Sequence, residues 1–596
     1  PETKLLYTDE DKYDDGQRRD PFFKPDFSPE YLLGVNYINH LTVIERAAFF
    51  EAGGLVAGTE GAQDWDLLLR LTQIVAVDQV VHIPKVLYHW RSHPGSTAQS
   101  YDAKPEVIDA QERVVTAHLQ REGFDLAWLE RPRSAPIFLL PHLRPTRTHT
   151  ISIIIPTKDH LEDLSSCLDS ILASYLPEVE ILVIDNNTSD PATLAYLDAL
   201  APPIRVLRYP EPFNFATMVN YGARHATGDL LLLLNNDTQV ISPDWLQEMA
   251  ALAERPQIGA VGAKLLYPDG SVQHCGVCLG IAGSAGHYGW SKDHRDPGDH
   301  GRGVLLTNTS AVTGAALMVE RAKYLQVNGL DPELAISFND VDLCLALVRA
   351  GYRNVTAPDA MLYHFESKSR GYNVSREQHF REDLESSLFY RRWSNLIPND
   401  PYYSPNLSLE LLEMFEPTAQ PRLRLPWGEQ TEVILHPSPH ISAHDSFYEL
   451  GPDERLQFAI PLDANQLSIW TQLTIGLVNP YTTPGSCDLQ IACTGVVEHL
   501  AIPPRLRDAA SVIELMFGPD RQTPPPQEPH HLAPMTATLV NTSPNPLLLH
   551  CVEIPSGLSA QGFTNLVPVL SLTLRHTATS FSHDHAGRAA ASAAEH

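Results

Sequence analysis

Residues 230–238 read LLLLLNNDT, and this abrupt change from leucine to amide and carboxylate constrains the fold more than any other stretch. Five apolar residues in a row describe a strand buried on both faces, as in a parallel sheet covered by helices. Such a strand ends in Asn235, Asn236 and Asp237 only if polar groups are wanted at its carboxyl end, which is where open α/β sheets bind ligands. A carboxylate flanked by amides there suits a hard divalent cation held partly by protein and partly by phosphate oxygens. Taken alone, the pattern equally describes a polar turn before a helix start at Ser242-Pro243-Asp244.

The neighbouring sequence favours the ligand reading. ISIIIP (151–156) is a second β-branched strand, ending in Thr157-Lys158-Asp159. Leu161, Leu164, Leu168, Ile171 and Leu172 follow at helical spacing. ILVI (181–184) runs into Asp185-Asn186-Asn187, and a helix is expected after Ser189-Asp190 with Pro191 at its first position. Ile204 to Leu207 predicts a further strand and Asn214 to Ala226 a further helix. Strands alternating with helices, each strand ending in polar residues, predict a mostly parallel nucleotide-binding sheet. Neither a G-x-G-x-x-G nor a Walker-type loop is present, which counts against a dehydrogenase or an NTPase. A metal on Asp237 is then the simplest way to hold a diphosphate.

The motifs SIIIPTKD (152–159), EILVIDNNTSD (180–190), FNFATMVNYGARHATGDLLLLLNNDT (213–238), VGAKLLYPDG (261–270), SAVTGAALMVER (310–321), FNDVDLCLALVRAGY (338–352) and LYHFESKSRG (362–371) stand in a fixed order. With them, residues 151 to about 392 resemble a family-2 inverting glycosyltransferase of the GT-A fold, similar to the rhamnosyltransferase-like enzymes of bacterial surface-polysaccharide (O-antigen) assembly. The resemblance implies a nucleotide-sugar donor, such as dTDP-rhamnose or a UDP-sugar, and a glycan or lipid-linked glycan acceptor. It implies that Pro156, Thr157 and Asp185 contact the nucleoside, with Asp185 accepting from the base, and it counts Asp159 and Asn214 on the donor side. Asn235-Asn236-Asp237 occupies the family's D-x-D position, where Asp237 would hold Mg²⁺ or Mn²⁺; Asn235 replaces the first Asp. Lys368 and Arg370 would clamp phosphate oxygens, although a solvated basic turn describes that pair as well.

Phe338-Asn339-Asp340-Val341-Asp342 precedes a leucine-rich helical run. By position alone, Asp340 is a first-turn carboxylate stabilising a helix by roughly 1 kcal/mol. The resemblance places it where the family carries its catalytic base, with Asn339 in place of the usual Glu. Inversion needs one carboxylate to deprotonate the incoming hydroxyl, and a metal-neutralised diphosphate leaves without a general acid. His364 is by itself more simply a hydrogen-bonded structural residue; the family carries a His here that reaches the metal or the leaving phosphate.

Residues 1–125 repeat part of this pattern. Gly54-Leu55 matches Gly329-Leu330, Arg46 matches Arg321 and His89 matches His364, each 275 residues apart, while Asp64 matches Asp340 at 276. A near-constant spacing over four motifs indicates duplication. LLYTDEDKYDDG (5–16) is matched to LLYPDG (265–270) at 260 residues. On that alignment Asp9-Glu10-Asp11 lies beyond the metal strand and is not a metal motif. The first copy is therefore expected to be a truncated, acceptor-side part with Asp64 and His89 but no donor half, inactive alone.

The remaining expectations concern layout. Residues 126–149, Pro/Arg-rich from 131, read as a linker; 150–394 as the complete transferase domain; 395–439 as a second, Pro-rich linker; 440–575 as a β-sandwich-like accessory domain; and 576–596 as a disordered tail. The whole is α/β: a GT-A (Rossmann-like) domain preceded by a truncated copy and followed by a β domain. A net charge of −29 in 596 residues excludes a nucleic-acid partner. No apolar run reaches the roughly 18 residues of a membrane span. Seven cysteines, an odd number, suggest reduced thiols, so a cytoplasmic location is expected, with peripheral association at the inner membrane face. Cys275-x-x-Cys278 beside His274 reads as core thiols rather than a zinc site, which needs more ligands. The competing functional reading is a non-catalytic glycan-binding or scaffold protein; loss of Asp185, Asp237 or Asp340 would have favoured it. A nucleotidyltransferase would show a glycine- and basic-rich loop after the first strand, where Pro156-Thr157-Lys158-Asp159 stands instead.

Overall fold

The computed structural model describes residues 3–14, 16–91, 105–174, 178–281, 284–365, most of 396–418, a few positions between 385 and 393, and the backbone of strands between 434 and 578. In chain order the first region contains β1 (Leu5–Asp14), β2 (Gln17–Phe22), α1 (Pro29–Leu32), β3 (Thr42–Ile44), α2 (Arg46–Glu51), α3 (Gln63–Leu71), β4 (Val80–Arg91) and α4 (Pro105–Arg121), followed by β5 (Asp125–Glu130) and β6 (Leu140–Arg144). The second contains β7 (Ile151–Thr157), α5 (Leu161–Ala173), β8 (Val179–Asp185), α6 (Pro191–Ala199), β9 (Ile204–Arg208), α7 (Phe215–His225), β10 (Leu230–Leu234), β11 (Thr238–Val240), α8 (Trp245–Ala253), β12 (Ile258–Leu266), β13 (Val272–His274), β14 (Val277–Leu279), β15 (Ala285–His287), β16 (Thr307–Thr309), β17 (Ala316–Glu320), α9 (Arg321–Gln326), α10 (Asn339–Arg349) and β18 (Arg353–His364).

The central sheet runs β11-β18-β12-β17-β10-β7-β8-β9. β7 to β10 are parallel, as the alternating pattern predicts, whereas β17 is antiparallel to both β10 and β12 and makes the sheet mixed. All five leucines of β10 are buried because helices cover both faces. α6 starts where its signals place it: the Asp190 carboxylate caps Thr193 N and Pro191 is the first helical residue. α5 buries Leu164, Cys167, Leu168 and Ile171, while Leu172 faces solvent. Pro358-Asp359 forms a bulge within one continuous strand, since β18 slips register against β12 between Ala357 and Met361.

β1 lies parallel to β4 as β12 lies parallel to β18. Leu5 pairs with Val80 as Val261 pairs with Val355, and Glu10 pairs with Tyr88 as Leu266 pairs with Tyr363. Both pairs slip register between these two points. Leu5 thus answers to Val261, not to Leu265, and the match of LLYTDE to LLYPDG is four residues out of register. Both stretches are apolar strand ends followed by acidic residues, a pattern too short to fix register. Asp9 is nevertheless no metal ligand of a strand end: it is fully buried within β1 and accepts from Lys24 N and Asn406 Nδ2, with His82 Nε2 2.8 Å away. Asp64 and Asp340 occupy the second position of α3 and α10 respectively.

The stretch expected as a linker at 126–149 contains most of an antiparallel hairpin, β5–β6, whose His142 is buried against Glu248 of α8. Apolar positions at Leu139, Leu140 and Leu143 join the core, so the segment packs despite its prolines and arginines. The first region is tied to the second by a buried Glu30–Arg353 ion pair at 2.7 Å and by Asn308 Nδ2 donating to Glu30. Within the second expected linker, Asp400 accepts from Leu279 N at 2.6 Å, and Tyr403 and Leu407 are buried against Tyr288 and Cys278. Further along, two all-antiparallel sheets are described. One contains Ile434–Pro437, Arg455–Ile460, Gly485–Ile491, Val496–Ile502 and Met535–Asn541; the other contains Ser442–Ala443, Tyr448–Leu450, Thr471–Val478, Ala509–Phe517, Leu547–Glu553 and Ser571–Ala578. The expected tail beyond 578 lies outside the described residues.

Candidate active site

β10 delivers Asn235, Asn236 and Asp237 to the carboxyl edge of the sheet, beside the ends of β7 and β8. β11 then turns back against β18, pairing Thr238 with His364. That pairing brings the His364 Nε2 to 3.2 Å from Asp237 Oδ1 and 3.2 Å from Asn235 Nδ2. The other ring nitrogen, Nδ1, lies 2.6 Å from Gln273 Oε1 in β13. An amide oxygen can only accept, so Nδ1 donates to Gln273, and Nε2 is the ring nitrogen that faces Asp237; in a neutral ring it presents a lone pair there. A carboxylate oxygen and an imidazole lone pair at this separation repel unless a proton or a cation sits between them. The donor set therefore fits a divalent metal ion, with Gln273 as the outer partner that orients the imidazole.

The residues expected to contact the nucleoside lie at the carboxyl ends of β7 and β8. Thr157 and Asp185 are paired across β7–β8 and are both buried, and Asn236 Nδ2 donates to Thr157 Oγ1 at 3.0 Å. Asp185 also accepts from Thr188 N and from Arg208 Nη1 at 2.7 Å, a cation the sequence reading missed. Asp159 adopts a left-handed backbone, and its carboxylate accepts from Asp190 N and Ser189 N. These bonds hold its pKa below the usual range and tie the β7 loop to the start of α6. Asn214 caps α7 through Thr217 N and donates to Pro332 O, also a structural task. Lys368 and Arg370 lie outside the described residues.

Asp340 sits in the first turn of α10, where Oδ2 accepts from Gly314 N at 2.7 Å and Oδ1 from Val341 N at 2.8 Å. Gly314 belongs to a short strap that also reaches the Asp237 edge, since Asn235 N donates to Ala315 O. One residue earlier, Thr313 N donates to His274 Nε2, whose burial, with His287 and His364 nearby, pushes its pKa well down and keeps the ring neutral. A side chain on Gly314 would place a Cβ 3.3 Å from that of Asp340, which explains glycine there. The strap thus joins the Asp237 edge to Asp340 through backbone groups. The signal for it, Thr-Gly-Ala-Ala (313–316), was visible in the sequence, but nothing in the sequence singled out Gln273.

Two further contacts fix α10. Asp342, raised by burial although Trp393 and Arg392 oppose it, accepts from Arg392 Nη1 and Trp393 Nε1. Glu385 Oε2 accepts from Ile336 N and Ser337 N, just before the helix. Asn339 is buried and donates to Leu334 O and Ile336 O, so the residue beside Asp340 supports the loop. In the first region Asp64 accepts from Asn39 Nδ2, whereas His89 lies 2.5 Å from Asp11 and is largely exposed. Cys275 and Cys278 are buried in the apolar cluster that also holds Tyr288 and Tyr403.

Residues 152–322, which contribute most strands of the mixed central sheet, match the glycosyl transferase family 2 domain. Similar proteins include an uncharacterized protein of Sinorhizobium fredii, 43% identical over 428 residues, which cover 69% of this chain and 46% of that protein. The O-antigen biosynthesis protein RfbC of Myxococcus xanthus is 38% identical over 414 residues, 69% of this chain and 32% of that protein. The N-acetylglucosaminyl-diphospho-decaprenol L-rhamnosyltransferase of Mycobacterium tuberculosis is 26% identical over 238 residues, 36% of this chain and 74% of that protein. The chain spans less than half the length of the first two relatives. Among the described residues, no helix is long and apolar enough to cross a membrane.

Proposed function

We propose that this chain is an inverting glycosyltransferase that moves a sugar from a nucleotide-diphosphate donor to a hydroxyl of a growing surface glycan or lipid-linked glycan. The observation that carries the reading is the Asp237–His364 pair at the end of β10, joined by the 313–315 strap to Asp340. Thr157, Asp185 and Asn236 would take the nucleoside, and Asn235, Asp237 and His364 the metal-bound diphosphate. A bound Mg²⁺ or Mn²⁺ would supply Lewis-acid compensation for the charge of the departing diphosphate.

Asp340 would take the proton of the acceptor hydroxyl as its oxygen bonds to the anomeric carbon. The bond from that carbon to the diphosphate oxygen breaks on the opposite face, and the nucleoside diphosphate leaves with the electron pair. The Gly314 N–H orients the carboxylate, and Asp342, held by Arg392 and Trp393, keeps the first turn of α10 in place. A rhamnosyl donor is consistent with the name of the mycobacterial relative. Residues 1–125 would correspond to the acceptor-side part of a second copy of the domain; the matching strand register supports this. The two antiparallel sheets of 434–578 would form a β-sandwich accessory. The mechanism is tested by proton NMR of the transferred sugar's anomeric centre. Inversion relative to the donor is expected, and retention contradicts Asp340 as the base.

A further inference from the structure

Away from the β10 edge, the β5–β6 hairpin gathers another set of ligating atoms. His142 of β6 has a largely buried ring, stacked on Trp128 at 4.2 Å between centroids. Its Nδ1 lies 2.9 Å from Glu248 Oε1 of α8. Its Nε2 lies 3.1 Å from Glu130 Oε2, at the end of β5, and 3.1 Å from Asp359 Oδ2, in the bulge of β18. Three carboxylates thus converge on one imidazole. A single ring nitrogen can donate one hydrogen, so Nε2 cannot serve both Glu130 and Asp359. Even a fully protonated ring would leave the cluster two negative charges in excess.

Among the described residues, Lys264 is the ammonium that opposes the charge on Asp359, and its hydrogen bonds go to the carbonyls of His294 and Gly303; one such cation leaves the cluster net negative. Asp359 Oδ2 is closed off from solvent and accepts no hydrogen bond. Burial, with Glu248 and Glu130 adding to it against His142, pushes the Asp359 carboxyl up to about 6. Among the described residues, Glu130, His142 and Asp359 are the one trio of His, Cys or carboxylate side chains whose ligand atoms all lie within 4.8 Å of one another. A tetrahedral zinc site with bonds of about 2.1 Å has ligand-to-ligand edges of about 3.4 Å, close to the two 3.1 Å separations seen here. Glu248 on Nδ1 is the outer carboxylate that metal-bound histidines generally have, and it leaves the Nε2 lone pair free to bind.

We propose that Glu130, His142 and Asp359 bind a divalent transition-metal ion, zinc by its imidazole-and-carboxylate donor set, with water in the remaining position. The ion clamps the hairpin onto α8 and β18. Its role is structural, it is separate from any metal at Asp237, and it does not depend on the transferase reading.

The test uses the full chain carrying Asp237→Ala, which removes the donor-side carboxylate and leaves this cluster intact. After chelator stripping and dialysis, zinc is titrated against a chromophoric chelator and the melting temperature is followed with zinc or magnesium. The same is done with Glu130→Gln or Asp359→Asn added. Glu130 is half exposed, so its variant keeps the fold testable. One tight zinc equivalent and a zinc-specific rise in melting temperature are expected. In both variants the affinity of that equivalent should fall at least tenfold and the thermal effect should vanish. Zinc binding that is absent, or equal in all three proteins, overturns the site. So does a melting temperature that responds to pH near 6 but not to zinc, since a proton on Asp359 would then be the whole answer.

Discussion

Replacing Asp340 by Asn separates the two tasks this side chain performs. As a helix-start carboxylate it would cost about 1 kcal/mol to alter, on capping grounds alone. The structure raises that figure. Each carboxylate oxygen accepts from a backbone N–H, from Gly314 at 2.7 Å and from Val341 at 2.8 Å. An amide has one accepting oxygen, so whichever N–H it serves, its own NH₂ faces the other. Losing a charge-assisted hydrogen bond costs about 1.5–3 kcal/mol, so the expected loss is about 2 kcal/mol, or about 4–8 °C in melting temperature. Transfer should fall by roughly 10²–10⁴, the scale of a lost general base. Donor affinity should be unchanged, because Asp185 and Asp237 are untouched. Asp342→Asn, which disturbs the Arg392 and Trp393 contacts in the same turn, controls for lost stability without lost base. Calorimetric donor binding, melting temperature and single-turnover transfer on one preparation give the answer. An Asn variant that binds donor and transfers sugar at near wild-type rate refutes the reasoning.

Asp64→Asn should leave turnover nearly unchanged while lowering the melting temperature through the Asn39 contact; collapse of turnover at an unchanged melting temperature would show that the active copy is misassigned. Gln273→Leu removes the acceptor on His364 Nδ1 and should weaken metal activation about 10–100-fold; an unchanged metal titration of turnover would remove His364 from the metal. Burial pushes the pKa of Glu30 up, but Arg353 and Asn308 outweigh it and leave it below the ordinary 4.5. Its contribution is therefore present above 4.5 and lost as pH falls through the lower folded value. Glu30→Gln should destabilise at neutral pH and flatten that acid step, read by melting temperature against pH; an acid step of undiminished size would assign it elsewhere.

The parts of this protein legible in its sequence are those set by short-range rules. The β10 leucines, the Asp190 cap, Pro191 and the polar strand ends announce themselves by pattern, and Asp237, Thr157 and Asp185 do converge on one sheet edge. Asp159 and Asn214 belong to the same motifs but serve as loop tie and helix cap, because a short polar side chain near a backbone N–H is satisfied locally before it can serve a ligand. The hairpin at 125–144 was hidden by its composition: prolines and arginines describe a linker until Leu140, His142 and Leu143 are seen to be buried, with His142 against Glu248 of α8. Register in β1 was equally hidden, since an apolar strand can be slid without changing its pattern, and only pairing with β4 fixes it. Gln273 and the carboxylates around His142 are brought together from distant segments by the tertiary fold. No spacing in the sequence could have joined them.

The central claim, metal-assisted transfer from a nucleotide sugar, is tested most directly by incubating the full chain with dTDP-rhamnose and a panel of UDP-sugars, with Mn²⁺ or Mg²⁺, and measuring nucleoside diphosphate release. The account predicts turnover of at least one donor, abolished reversibly by EDTA and permanently by Asp237→Ala. Release that continues undiminished in EDTA and in the Asp237→Ala protein, or no turnover of any donor by the folded wild type, would contradict it.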